Sequence, residues 1–311
     1  MANIKRVVFT QNWNKGGVRT ILEQVQKFDP DIRIVSKAKF GILSYLILFF
    51  YLLQSRVTLN IHGWMFLRLI ALTRSLRLNR ARIVFSLHSD PKKELTDFTL
   101  MELMSKVADH VTFVSDYHRM SALLLIGEKT RLMKMSSVIY YKMNCSADES
   151  SLGFHLSEGK VGLITRLSKE KGIEDICSIL PVGSIIWGDG PLLRLLQEQY
   201  TGLKFPGVCD DVNEALEEID IFVFSSSWGV WGISLLEAIC AKKRFIYPQN
   251  ENWKDLFPED SYCLSYENGN LDSFNRALEN AMSMEVSEFE VIRDRILNFP
   301  EQPHYKHYAR I

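Results

Sequence analysis

Two cations stand just after a strand-forming apolar run, Lys160–Ile164: Arg166 and Lys171. A guanidinium offers phosphate oxygens a planar fork and an ammonium offers a point charge, so the pair suits a doubly charged phosphate ligand. Lys169 between them reads as a cation facing water. Glu237 lies in a helical stretch, Ile233–Ala241, among Leu235, Leu236, Ala238, Ile239 and Cys240. A carboxylate in so apolar a helix needs a partner, because an unpaired buried charge costs on the order of several kcal/mol. That partner is either a ligand hydroxyl or an ion pair with Lys242 or Arg244. Just ahead of it, Gly229, Val230, Trp231, Gly232 and Ile233 supply backbone N–H groups at the positive end of the helix. Gly16 and Gly17 precede another helix, running to Gln26, where glycine lets a backbone approach an anion closely. Gly188-Asp189-Gly190 follows the strand Ser184–Trp187. His88, His62 and Ser115 each end a strand-like run. No set of side chains has metal-ligand spacing, so neither a metal nor a resident cofactor is expected.

The elements that must position these residues alternate. Arg6–Thr10, Ile32–Ser36, Val57–Ile61, Ile83–Leu87 and Val111–Ser115 are short β-branched runs, separated by helical stretches such as Met65–Leu76 and Leu95–Ala108. A polar stretch over residues 145–159 then gives way to a second series. Its strands are Lys160–Ile164, Ser184–Trp187, Lys204–Phe205, Ile219–Ser225 and Phe245–Tyr247. Its helices run from Ile173 to Leu180, Leu192–Tyr200, Val212–Glu218 and Ile233–Ala241, closing with Leu271–Met284 and Ser287–Asn298. Such alternation predicts βαβ units, parallel sheets and a ligand cleft at the strand C-terminal ends. The expected division is 1–150, 151–290 and a segment 291–311 packing back on the first domain.

Composition agrees with a folded two-domain protein. The chain has 311 residues, 47% hydrophobic and 24% charged, with 37 basic and 37 acidic side chains. Zero net charge gives no global footprint for nucleic acid. Five cysteines, Cys145, Cys177, Cys209, Cys240 and Cys263, stand singly and in odd number, and read as buried reduced thiols. No signal-peptide pattern precedes the first strand, which predicts a cytoplasmic location. The run Phe40–Leu53 is almost wholly apolar, with Lys37 and Lys39 before it and Arg56 after it. It is shorter than the roughly 20 residues of a spanning helix. It reads either as a buried core helix or as a helix partly exposed to anionic lipid on the inner membrane face.

Four segments of the second half carry a family resemblance: VGLITRLSKEKGIEDI, IIWGDGPLLRLLQE, LKFPGVCDDVNEALEEIDIFVFSSS and WGVWGISLLEAICA. They resemble, in order, motifs of the C-terminal domain of family-four glycosyltransferases. The resemblance implies an α/β GT-B fold, two Rossmann-like doubly wound domains facing a cleft. It implies transfer of a sugar from a nucleotide-sugar donor, with retention, to a saccharide or lipid-linked saccharide acceptor in surface polysaccharide synthesis. On this resemblance Arg166 and Lys171 hold the donor diphosphate and Glu237 accepts hydrogen bonds from the ribose. Residues 229–233, Gly188 and Gly190 line the donor, Gly16-Gly17 is the glycine-rich loop near the diphosphate, and His88 touches the donor sugar.

Two positions depart from the pattern. The first Glu of the family's E-x7-E motif is replaced by Gly229, and no acidic side chain stands between Ser225 and Leu236. VIYYKMN, residues 138–144, lacks the Asn-Gly of the corresponding interdomain strand. The missing carboxylate leaves Ser226, Ser227, Trp228, Trp231 and loop backbone to hold the sugar. The runner-up readings are a catalytically degenerate homologue that stabilises another glycosyltransferase, and a sugar-nucleotide epimerase.

Overall fold

A computed structural model describes residues 5–11, 17–88, 99–126, 129–139, 145, 159–226, 232–250 and 257–298. The chain divides into two compact units, with the boundary between Tyr141 and Lys142, nine residues ahead of the expected one.

The first unit is a six-stranded sheet in the order β2-β1-β3-β4-β5-β6. Its strands are β1 (Lys5–Thr10), β2 (Arg33–Ser36), β3 (Val57–His62), β4 (Arg82–Leu87), β5 (His110–Phe113) and β6 (Ser136–Val138). Every pairing is parallel. Parallel strands are covered on both faces, which is why they read as continuous apolar runs. Phe9, Leu59, Ile61, Phe85 and Phe113 are fully buried, with Phe66 and Leu67 packed over them from one side. The expected helix at Met65–Leu76 starts with a 3-10 turn at Trp64–Phe66 and continues as Leu67–Ser75. A further helix, Asp116–Leu123, was not foreseen; the Ser115 hydroxyl caps it by accepting the His118 N–H at 3.2 Å. That bond gives the buried Ser115 a structural role.

The apolar run at residues 40–53 forms the helix Leu43–Leu52 and satisfies both readings at once. Leu48 and Leu52 are fully buried, while Ile42, Leu46 and Phe50 are 83%, 64% and 71% exposed. The 42-46-50 spacing makes one outward stripe, because residues four apart lie above one another on a helix. No helix among the described residues is long and apolar enough to cross a membrane.

The second unit is another six-stranded sheet, β12-β11-β10-β7-β8-β9. Its strands are β7 (Val161–Ile164), β8 (Ile185–Trp187), β9 (Lys204–Gly207), β10 (Ile221–Val223), β11 (Arg244–Pro248) and β12 (Ser265–Tyr266). All pair in parallel. The helix Ile233–Cys240 packs on β10 and β11. The last helix, Val286–Asn298, buries Phe289, Ile292 and Ile296, and Arg293 Nε donates to the Ile239 carbonyl at 3.1 Å. Residues 291–298 therefore belong to the second unit and do not form a separate segment; residues 299–311 lie outside the described residues. The Arg244 guanidinium donates to the carbonyls of Ala281, Met282 and Met284, closing the helix Leu271–Ser283.

The reading of five reduced cysteines is corrected. Cys145 and Cys240 form a disulfide across 95 residues of sequence, with Cα atoms 5.2 Å apart. No spacing rule links such distant residues; the fold brings the chain entering the second unit to the end of the helix Ile233–Cys240. Cys177 and Cys263 are free thiols, and burial pushes the Cys177 thiol up to about 12, which keeps it protonated and inert. A cross-link closing so long a loop stabilises a fold by about 2–4 kcal/mol, chiefly by restricting the unfolded chain. Cys145→Ser, or reduction with dithiothreitol, should lower the melting temperature of the wild-type protein by several degrees. An unchanged melting curve after verified reduction would remove the disulfide from the account of stability.

Candidate functional site

The candidate site of the second unit forms where three neighbouring parallel strands end. β10, β7 and β8 lie side by side, so the chain leaving each emerges on the same edge of the sheet. The β7 exit carries Arg166 and leads to the 3-10 turn Lys169–Lys171. The β8 exit carries Gly188-Asp189-Gly190, and the β10 exit carries Ser225 and Ser226.

Backbone hydrogen bonds zip the first two exits together. Thr165 N–H donates to the Trp187 carbonyl at 2.9 Å, Leu167 N–H to that of Asp189 at 3.0 Å, and Leu192 N–H to that of Leu167 at 3.1 Å. So close an approach leaves no room for side chains. A Cβ on Gly188 would stand 1.8 Å from the Thr165 carbonyl oxygen, and one on Gly190 would stand 2.3 Å from that of Leu167. Gly188 also has φ +143, a conformation that side-chain-bearing residues rarely adopt. These two glycines, expected to line the donor, hold the loop on which Arg166 sits.

Arg166 is exposed, Lys171 half-buried and Lys169 exposed. Glu170 lies between the cations, and its carboxylate accepts from Ser168 Oγ at 2.6 Å. Burial works against ionising Glu170, but the Ser168 bond, its own backbone N–H and the charges of Arg166 and Lys171 outweigh it and lower its pKa. Burial, with the repulsion of Arg166, lowers the pKa of Lys171 against the pull of Glu170. The shift at Lys171 describes a cation that an incoming anion would stabilise.

At the neighbouring strand ends, the hydroxyls of Ser225 and Ser226 and Nε1 of Trp187 are buried without a hydrogen-bond partner among the described residues. Buried polar groups are seldom left so, and water, an ion or a ligand can supply the missing partner. The sequence pointed to Ser226; it missed Ser225 and Trp187. The signal was a serine run and a tryptophan at the ends of adjacent apolar strands, legible only once the strand order was known.

Gly232 and Ile233 open the helix that carries the half-buried Glu237 one turn further on. A Cβ on Gly232 would lie 2.2 Å from the Phe224 ring, so glycine is required for the helix to start against β10. Gly229, Val230 and Trp231 lie outside the described residues, as does Gly16, while Gly17 is the first residue of the helix Gly17–Phe28. In the first unit His88 follows β4 directly and is half-buried, with Nε2 at 2.7 Å from Nδ1 of His62. Among the described residues, no three His, Cys, Asp or Glu side chains form a group that could hold a metal ion.

Residues 147–295 match the family described as glycosyl transferases group 1. No curated protein matches the chain. The fold is that of solved glycosyltransferases. HepE of Anabaena, solved with UDP-glucose, superposes with a TM-score of 0.75 at 16% identity over 98% of each chain. The lipopolysaccharide outer core galactosyltransferase WaaB, in its apo form, gives 0.70 at 15% identity over 98% of each chain. The catalytic domain of starch synthase IV from Arabidopsis thaliana, bound to ADP and acarbose, gives 0.69 at 12% identity over 99% of this chain and 98% of the other. The fold is thus that of the GT-B glycosyltransferases. It is the C-terminal half, residues 147–295, that is similar to the glycosyl transferases group 1 family.

If Arg166 and Lys171 hold a diphosphate, each contributes charged hydrogen bonds of about 1.5–3 kcal/mol. Arg166→Ala and Lys171→Ala should each weaken UDP binding, measured by calorimetry, by about 2–3 kcal/mol, whereas Lys169→Ala should change it little. Equal affinity in all four proteins would sink the assignment.

Proposed function

We propose that the protein transfers a sugar from a nucleoside-diphosphate donor, a UDP-sugar, to a saccharide or lipid-linked saccharide acceptor, with retention at the anomeric carbon. The observation that carries the reading is the Arg166–Lys171 pair at a strand-end edge, beside unsatisfied Ser225, Ser226 and Trp187 groups. HepE binds UDP and UDP-glucose on the same fold, which supports a uridine nucleotide. In the proposed reaction, the acceptor hydroxyl attacks the anomeric carbon on the face from which UDP departs. A phosphate oxygen of the donor takes the hydroxyl proton. Arg166, Lys171 and N–H groups of residues 229–233 stabilise charge on the leaving diphosphate without a resident metal or cofactor. Glu237 holds the ribose and His88 the sugar, while Gly16-Gly17 lies near the diphosphate.

Gly229 bears on the donor. Loss of a carboxylate leaves sugar hydroxyls to be satisfied by the serines and by backbone, since each unpaired one costs about 1–3 kcal/mol in a dry pocket. Wild type should turn over at least one of a panel of UDP-, GDP- and TDP-sugars, with a donor preference that shifts in Gly229→Glu. Nucleotide binding without turnover, and activity only in Gly229→Glu, would favour the degenerate homologue.

We further place the protein at the cytoplasmic face of a membrane, where surface polysaccharides are assembled on lipid carriers. From Ile32 to Ser89 the chain has nine basic residues and no acidic one. The exposed stripe Ile42, Leu46 and Phe50 lies within that stretch. Arg80 N–H donates to the Leu52 carbonyl at 2.8 Å, which brings the exposed Leu76 and Leu78 to the end of the same helix. Lys5 and Arg33 border Leu46 and Phe50 in a shallow depression. Apolar side chains rimmed by cations suit an anionic lipid surface. The protein should co-sediment with vesicles containing anionic phospholipid at low salt, and Leu46→Glu with Phe50→Glu should weaken this at least ten-fold. Equal recovery with purely zwitterionic vesicles, or none with either, would refute the placement.

A further inference from the structure

Two histidines close the C-terminal edge of the first sheet. His62 is the last residue of β3 and is buried; His88 follows the last residue of β4, its parallel neighbour. Their rings stack with centroids 4.8 Å apart and planes 21° from parallel, and Nε2 of His88 lies 2.7 Å from Nδ1 of His62. One step lower on the same strands, Ser86 Oγ donates to Asn60 Oδ1 at 2.7 Å and receives the Thr112 hydroxyl at 2.8 Å. This polar ladder fixes β3, β4 and β5 in register beneath the ring pair. Nδ1 of His88 is buried and has no hydrogen-bond partner among the described residues, so it is the ring atom open to a ligand.

We propose that His62 is a positioning residue that dictates which nitrogen of His88 carries the proton, and so whether His88 offers the donor sugar a hydrogen-bond donor or an acceptor. The inference rests on the reading that His88 touches the sugar. Its chemistry follows from the bond between the rings. A hydrogen bond between two imidazole nitrogens needs one N–H and one lone pair. If Nδ1 of His62 gives the proton, Nε2 of His88 accepts it and Nδ1 of His88 carries its own. If Nε2 of His88 gives the proton, Nδ1 of both rings is bare. The two neutral rings must therefore share one tautomer, both Nδ1–H or both Nε2–H. Burial favours the neutral pair: it lowers His88 to about 4 and, together with the charge of His88, lowers His62 well below its usual value. A neutral ring with a fixed tautomer gives the same polarity to the sugar throughout the neutral pH range.

The test uses the full-length protein with 15N-labelled histidine, which has seven such residues, assigned with His62 and His88 variants. Nitrogen shifts of the wild type should show both rings neutral and in the same tautomer from pH 8 to 5. Opposite tautomers, or a protonated His88 at pH 6, would overturn the proposal. In His62→Phe, His88 should populate both tautomers and take up a proton at higher pH, while kcat for sugar transfer falls at least ten-fold and gains a new acidic limb. His62→Asn keeps an amide near the position of Nδ1 and should restore most of kcat. If His88→Ala leaves transfer unchanged, the reading of His88 as a sugar contact fails. If His88→Ala abolishes transfer but His62→Phe keeps the wild-type tautomer and kcat, that reading stands and the positioning role of His62 falls.

Discussion

The carbonyl oxygen of Thr165 occupies the space that any side chain on Gly188 would need. That contact, with its counterpart between Leu167 and Gly190, locks the exits of β7 and β8 into one backbone unit. Arg166 rides on the locked segment, and Lys171 follows within the turn it feeds. A flexible loop could carry the same two cations, but they would first have to be ordered against chain entropy before an anion could be gripped. Here the order is built in by peptide hydrogen bonds, which no side-chain substitution can supply. The G-x-G signature is accordingly a requirement of packing first, and its service to the site is indirect.

The same economy of parallel sheets governs the other half of the molecule. Strands that all run one way deliver their last residues to a single edge, so residues remote in sequence meet there without any dedicated structure. His62 and His88, 26 positions apart, meet in this way. Ser225, Ser226 and Trp187 gather by the same logic in the second unit. Their lack of partners stands out because the sheets below are otherwise well satisfied. Asn60, Ser86 and Thr112 bond to one another, and Tyr266 donates to the Phe224 carbonyl at 2.6 Å.

The outer faces follow a different constraint. A helix whose buried side holds Leu48 and Leu52 would be expected to turn polar residues outward, yet its outer stripe is as apolar as its inner one. Such a helix gives up solubility for no gain in core packing. Under the membrane placement proposed above, the surplus of cations around it would suit a phase that is both anionic and apolar.

Several features were fixed by the sequence alone. Apolar runs of strand length, alternating with helical periods, dictated two parallel α/β units, because only strands buried on both faces read that way. The two cations Arg166 and Lys171 after a strand and the glycine at position 229 were equally plain, being matters of residue type at a given place. Other features depended on distance in space, which periodicity does not encode. The Cys145–Cys240 bond, the cap formed by Ser115 and the docking of residues 291–298 on the second unit are of this kind. So are the steric demand at Gly188 and the bond between His62 and His88. Each depends on which strands become neighbours, and strand order is set by the packing of the whole sheet. Local sequence chooses a strand; only the assembled fold decides what stands beside it.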